Sequence, residues 1–287
     1  MCGWERRYSN NCLRYEMSES VWNGKLLGCI GGGNMAEALI RGVISSGLLP
    51  ASHIAVHDIL PGRRDVFAGL GCVAAETPGE VMRADVVLFA AKPQNLQDAL
   101  TGLAFRGDQL LVSIAAGVTT ARIEALLPDG ARVIRVMPNT PLLVGFGMSA
   151  LAAGSRANAA DMALALALFA SGGEAVAVGE EMLDAVTALS GSGPAYLFRF
   201  AEALVAGAEK LGMEAELARR LTIGMLRGSA EMLVRNPDAG LLRRRVTSPG
   251  GTTAAALDVF ERHDFMGITA EALEAARDRG VELGRGS

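Results

Sequence analysis

One segment constrains this chain more than any other. Gly31-Gly32-Gly33-Asn34-Met35-Ala36 stands between a short apolar run at residues 25–30 and a stretch with apolar residues at helical spacing, Met35, Leu39, Ile40, Val43 and Ile44. The order strand, glycine turn, helix matches G-x-G-x-x-G/A. Gly31 allows the tight turn, Gly33 allows a pyrophosphate to approach the backbone, and Ala36 allows close helix–strand packing. The helix start then offers unpaired N–H groups and a positive dipole end to phosphate. A glycine-rich turn alone fits a bare turn equally well. What favours a dinucleotide site is the context, including Asp58 at the end of a second strand at residues 54–57. Ile30, Gly31, Gly32, Gly33, Asn34 and Met35 are therefore the expected core of a cofactor site.

The pattern after this segment repeats the same alternation. Helices are expected at residues 62–70, 77–83, 95–103 and 119–127, and strands at 85–90, 109–114 and 132–137. Strands alternating with helices across short turns imply βαβ units, a mostly parallel doubly wound sheet and helices on both faces. Beyond about Leu151 the strand signal almost ends. A helix at 158–170 and one short strand at 174–178 are followed by long helical patterns at 194–211, 214–234, 252–261 and 268–283. Those helices carry small apolar residues on more than one face, which calls for a partner surface. The expected architecture is an N-terminal α/β Rossmann domain at 25–185 and an all-α dimerisation domain at 186–287.

Residues 1–24 differ in kind. They are polar, carry both tryptophans, Trp4 and Trp22, and show neither periodicity nor the apolar middle of a secretory signal. They read as a disordered extension, and Met17 as an alternative start of the native chain. Half of the 287 residues are hydrophobic, enough for a sizeable core, and the net charge is −4. That balance gives no electrostatic footprint for nucleic acid or an anionic membrane. The longest apolar runs fall short of a membrane span. Cys2, Cys12, Cys29 and Cys72 have no CxxC spacing, so neither a disulfide framework nor a metal site is expected, and the default setting is the reducing cytoplasm.

Other motifs end strands or open helices. Asp58 suits the ribose 2′-OH of NAD and repels the 2′-phosphate of NADP, yet Arg63 or Arg64 could reach that phosphate; a solvated arginine pair fits as well. Ala90-Ala91-Lys92-Pro93 follows a strand, where loops line the cofactor crevice, and Lys92 is one of only three lysines. Met137-Pro138-Asn139-Thr140-Pro141 is a stiff loop at the crevice edge, or a plain connector. Ser190-Gly191-Ser192-Gly193-Pro194 and Thr247-Ser248-Pro249-Gly250-Gly251-Thr252-Thr253 each precede a helix, able to hold an anion or merely to cap it. Histidines number three, His53, His57 and His263, and none is well placed for catalysis.

Taken in order, these motifs resemble the pyrroline-5-carboxylate reductase family. The resemblance runs from Lys25 to about Leu283 and includes Ser113-Ile114-Ala115-Ala116-Gly117-Val118-Thr119 and, most specifically, Val246-Thr247-Ser248-Pro249-Gly250-Gly251-Thr252-Thr253. It implies reduction of 1-pyrroline-5-carboxylate to L-proline with NADH or NADPH, by a homodimer that in many members builds a decamer of five dimers. It implies cofactor contacts at Asp58, Thr77, Ala90, Ala91, Lys92, Pro93 and Ala116 besides the glycine turn. It implies substrate contacts at Asn139, Ser248, Gly251, Thr252 and Thr253, with Thr253 beside the imine nitrogen as the catalytic position. The chain departs from the family in its basic Leu241-Leu242-Arg243-Arg244-Arg245 segment, in Thr77 and in Asp58. A protonated imine is already electrophilic, so the lack of a catalytic histidine suits this chemistry, in which orientation carries the rate. The alternatives are a β-hydroxyacid dehydrogenase and a non-catalytic dinucleotide-binding protein. The first needs a lysine early in the long interdomain helix, where this chain has Arg199 and reaches a lysine only at Lys210.

Overall fold

The computed structural model describes residues 21–286. The described chain forms two compact units. One runs to Gly191 and takes in the chain again from Ala276; the other is Ser192–Ala275.

The first unit is built on eight strands: β1 Leu27–Ile30, β2 Ile54–His57, β3 Val73–Ala74, β4 Val86–Phe89, β5 Leu110–Ser113, β6 Arg132–Met137, β7 Gly147–Ala153 and β8 Gly173–Ala177. Their order in the sheet is β3-β2-β1-β4-β5-β6-β7-β8. The first six are mutually parallel, with Leu27 opposite both Ile54 and Val86. Every residue of β1, β4 and β5 is buried, as expected of strands covered on both faces. Strand order reverses between β1 and β4, so the crevice for a ligand opens at the carboxyl ends of these two strands.

Helices α1 Asn34–Ser45, α2 Pro61–Gly69, α3 Pro78–Val81, α4 Leu96–Leu100, α5 Thr120–Glu124 and α6 Ala159–Ala170 connect the strands, and α7 Leu183–Val186 follows the last of them. Alternation along β4 divides the interior into two layers. Val86 and Leu88 face the cluster that includes Leu39, Ile40 and Phe169, while Val87 and Phe89 face the cluster with Leu111, Ile123 and Val133. Helix α1 buries Ala36, Leu39, Ile40 and Val43, one stripe at helical spacing.

Several sequence readings change here. Trp22, read as part of a polar extension, is 1% exposed and donates its indole N–H to Leu164 O at 3.0 Å. A lone aromatic has no periodicity to betray its burial, and a core pocket decides its place. The rest of the extension, residues 1–20 with Met17, lies outside the described residues. Strand β7 was not expected; it returns antiparallel to β6, with Ile134 opposite Ala153, after a turn at left-handed Gly145. Its small residues carry little strand signal, and pairing with β6 supplies it. Finally, Ser190-Gly191-Ser192 is no open helix start. Thr187–Gly191 is a π-helical turn leading straight into α8 Gly193–Lys210, and the Ser190 hydroxyl donates to Val186 O.

The second unit continues with α9 Ala215–Arg235, α10 Ala239–Arg245, α11 Thr252–Arg262 and α12 Phe265–Gly286, the last passing back into the first unit. Carboxylate caps start two of them: Glu214 accepts from the N–H groups of Glu216 and Leu217, and Asp238 from that of Leu241. Helix α10 was not read from the sequence. It spans two turns, too short for a periodic signal. Within Ser192–Ala275 only Ala218 and Thr222 are buried.

Candidate active site

The loops after β1, β2 and β4 are knitted together by backbone bonds. Gly31 N–H donates to His57 O and Ala90 N–H to Ile30 O, both at 2.8 Å. Gly31 has φ +97°, and a Cβ there would lie 2.6 Å from the Ala91 nitrogen, so only glycine allows this approach. Gly33 differs: a Cβ would meet nothing within 4 Å. Its backbone faces open space, and no side chain caps the start of α1. The first-turn N–H groups of Asn34, Met35 and Ala36 thus remain available to an anion, and the turn fits the pyrophosphate of a dinucleotide.

The backbone of Gly32 is held on both sides. Its N–H donates to Asp58 Oδ2 at 2.7 Å, and its carbonyl accepts from Arg63 Nε at 2.6 Å. The other Asp58 oxygen accepts from Leu60 N–H at 2.9 Å. Arg63 continues through Nη2 to Glu37 Oε2 at 2.7 Å and lies over the Phe67 ring. The Arg64 side chain makes one hydrogen bond among the described residues, from Nη1 to Asp58 O at 2.7 Å. The sequence indicated these residues singly; the grip on Gly32 arises from the register of β1 against β2, which composition does not reveal.

The remaining expected cofactor residues sit at the same sheet edge. Ala90 and Ala91 touch the Gly31 turn, and exposed Lys92 precedes the Pro93–Asn95 turn. Ala116 is exposed in the loop after β5. Thr77 precedes α3, where its N–H and hydroxyl both donate to Glu80 Oε1. These bonds hold the Glu80 carboxyl below its ordinary range, the hydroxyl contributing most. Asn139 is buried, with Nδ2 donating to Ser190 O at 3.1 Å and Oδ1 accepting from Met148 N–H at 2.9 Å. It ties the loop after β6 to β7 and to the π-turn. Beside it lies a network the sequence did not disclose. Buried Arg135 on β6 pairs with Glu180 and Asp184, each at 3.3 Å, and Glu180 also accepts from Thr120. A single arginine inside a strand pattern gives no sign of its partners.

In the second unit, the turn before α11 is compact. Gly251 N–H donates to Ser248 O at 3.1 Å, and a Cβ at Gly251 would fall 2.5 Å from Ser248 Oγ. Gly251 is the residue before α11 and has no side-chain cap. The hydroxyls of Ser248, Thr252 and Thr253 make no hydrogen bond to other described residues, whereas that of Thr247 donates to Arg243 O. Ser248, Gly251, Thr252 and Thr253 are thus gathered at one helix end with open N–H groups and free hydroxyls, a geometry suited to a carboxylate.

Groups outside these sites play other parts. His57 Nδ1 lies 3.0 Å from Ala75 O, within the strand layer. His53 is in the turn before β2, and His263 ends α11. Lys210 is the last residue of α8, far along the helix from Arg199. Cys29 and Cys72 are free and buried; burial pushes the Cys29 thiol far up and that of Cys72 to about 11. Among the described residues no cluster of three His, Cys, Asp or Glu could hold a metal, and no helix is long and apolar enough to cross a membrane.

Comparison with known proteins agrees with this layout. Residues 180–283 match a family described as pyrroline-5-carboxylate reductase dimerisation, and residues 26–117 one described as NADP oxidoreductase coenzyme F420-dependent. A pyrroline-5-carboxylate reductase of Haemophilus influenzae is 41% identical over 265 residues, 90% of this chain and 97% of that protein. The solved pyrroline-5-carboxylate reductase of Coxiella burnetii superposes with TM-score 0.85 at 35% identity, covering 91% of this chain and 99% of the other. A Plasmodium falciparum pyrroline carboxylate reductase solved with NADP bound gives 0.81 at 28% identity, with 91% and 98% covered.

Proposed function

Since this chain belongs to the pyrroline-5-carboxylate reductase family, we infer that it reduces 1-pyrroline-5-carboxylate to L-proline by hydride transfer from NAD(P)H to the cyclic C=N bond. The observation that carries this reading is the identity of 41% across 90% of the chain, joined to a glycine turn shaped for a dinucleotide. The nicotinamide supplies the hydride when bound. The chain's own residues bind and orient. The Gly31–Gly33 turn and the start of α1 hold the pyrophosphate. Ala90, Ala91, Lys92, Pro93, Ala116 and Thr77 line the rest of that crevice.

Ser248, Gly251, Thr252 and Thr253 hold the substrate carboxylate, and Asn139 shapes the loop after β6. The Thr253 hydroxyl lies beside the imine nitrogen and accepts the hydrogen bond of its N–H in the protonated imine. No strong general acid is required, because the protonated imine already draws the hydride. What remains is alignment of two carbons at near-attack distance, which an anchored carboxylate supplies. The chain is a homo-oligomer through its dimerisation segment. We take the assembly to be a homodimer, five of which form a decamer, working in the cytoplasm on a small-molecule substrate.

Steady-state reduction of pyrroline-5-carboxylate with NADH and with NADPH tests the activity directly; no turnover with either would overturn it. Thr253→Val tests the anchor. Loss of a hydrogen bond to a charged group lowers kcat/KM about tenfold to a hundredfold, from about 1.5–3 kcal/mol. Cofactor affinity stays level. A lower Tm with normal kcat/KM would mean that Thr253 only packs its helix.

A further inference from the structure

The cofactor reading above leaves one question at the ribose end of the crevice. Asp58 directly follows β2, where an acidic residue ordinarily accepts hydrogen bonds from a ribose hydroxyl and repels a 2′-phosphate. Here its carboxylate turns back onto the protein. Oδ2 receives Gly32 N–H at 2.7 Å and Oδ1 receives Leu60 N–H at 2.9 Å. Both are bonds of charge-assisted length, so both oxygens already have donors.

The neighbouring arginines divide just as clearly. Arg63 is anchored at three places: Nε on Gly32 O, Nη2 on Glu37 Oε2, and its plane over Phe67. Its charge is answered by Glu37, which also pairs with Arg41. The Arg64 side chain has a single hydrogen bond, to Asp58 O, and no carboxylate partner within ion-pair distance among the described residues. That bond fixes its guanidinium at the carboxyl end of β2. A guanidinium offers five N–H donors in a planar fork that suits phosphate oxygens.

We propose that Asp58 and Arg63 are positioning residues that clamp the backbone of Gly32 on either side for the pyrophosphate, and that Arg64 is the residue that reads the cofactor's 2′-phosphate. This rests on the NAD(P)H reading. It reverses the simpler expectation that Asp58 selects against NADPH. The clamp acts on the part common to both cofactors, so damage to it weakens both alike. Arg64 meets only what distinguishes them.

Binding measured without substrate tests this. Calorimetric Kd values for NADH, NADPH, AMP and 2′,5′-ADP are compared across Asp58→Asn, Arg63→Gln and Arg64→Gln, with thermal melting alongside. Asp58→Asn removes the charge and one of two acceptors, and should raise the Kd of NADH and NADPH together by about tenfold, as for loss of one charge-assisted bond. Arg63→Gln, which releases the Gly32 carbonyl on the other side, should do the same and stands in if the Asp58 variant fails to fold. Arg64→Gln should raise the Kd of NADPH and 2′,5′-ADP about tenfold or more, and leave NADH and AMP unchanged. A rise in NADPH affinity with a fall in NADH affinity in Asp58→Asn would overturn the positioning role. So would a lower Tm with unchanged Kd values, which marks a merely structural part. Equal loss of both cofactors in Arg64→Gln would overturn its selective role. Wild-type protein that binds neither dinucleotide would instead overturn the reductase reading.

Discussion

The two units solve the problem of burying apolar surface in opposite ways. The first encloses its own interior: all hydrophobic clusters among the described residues draw on residues 21–186, with Leu39, Val86, Leu88 and Phe169 at 1% exposure or less. In the second, Ser192–Ala275, only Ala218 and Thr222 are buried, while Phe198 is 62% and Ile223 64% exposed. A sheet with helices on both faces is closed by its own connections. Long helices with several apolar faces are not, and they fold stably only against a partner. The dimerisation family that matches residues 180–283 names that partner as another copy. Stability in the first unit is thus a property of the chain, and in the second a property of the assembly.

This contrast breaks most visibly if the helical unit is denied its partner. Phe198→Glu with Ile223→Glu changes two exposed side chains, which on a monomer's surface would shift stability by only about 0.5 kcal/mol each. In an assembly that buries them, the double variant should dissociate and lose the dependence of Tm on protein concentration. Light scattering with melting curves at several concentrations checks this. An intact oligomer would show that the exposed face is not an interface.

A smaller effect sharpens the other side. Leu88→Ala, at the centre of the sheet, should cost about 2–5 kcal/mol, through lost burial plus a cavity. Chemical denaturation should return the same loss at every protein concentration if the first unit is self-sufficient.

The smallest expected effect lies at the edge of the first unit. Glu37 is held below its ordinary value, chiefly by the hydrogen bond from Arg41, then by that from Arg63. A carboxylate lowered in the folded state stabilises fully above its unfolded value and loses that contribution as pH falls through its folded one. Glu37→Gln should therefore lower stability by about 1 kcal/mol or less at pH 7, given partial exposure of the pairs. The difference should fade as pH drops below the ordinary glutamate value of 4.5. Melting across that range measures it, and a constant difference would show that the charge is irrelevant.

The sequence by itself determined the features governed by local periodicity and backbone freedom. The strand at 132–137 and the helix at 158–170 stand where the apolar spacing places them, to within a residue. The glycine turn was legible because left-handed backbone at Gly31 demands glycine, while bare backbone at Gly33 leaves open space for a pyrophosphate. The hydroxyl-bearing turn before α11 was legible for a related reason: turn residues, unlike core residues, carry their geometry in their identity. Tertiary structure alone decided the rest. Trp22 entered the core because Leu164 O, 142 positions away, supplies its hydrogen-bond partner. Arg135, Glu180 and Asp184 met because β6 lies against residues 180–184, the start of α7 and the turn before it. Asp58 turned to Gly32 rather than outward because β1 and β2 pair in a register that sets Ile30 opposite His57. A side chain's type limits the bonds it can make, but which partner it finds depends on distances between remote segments, and those exist only once the chain has folded.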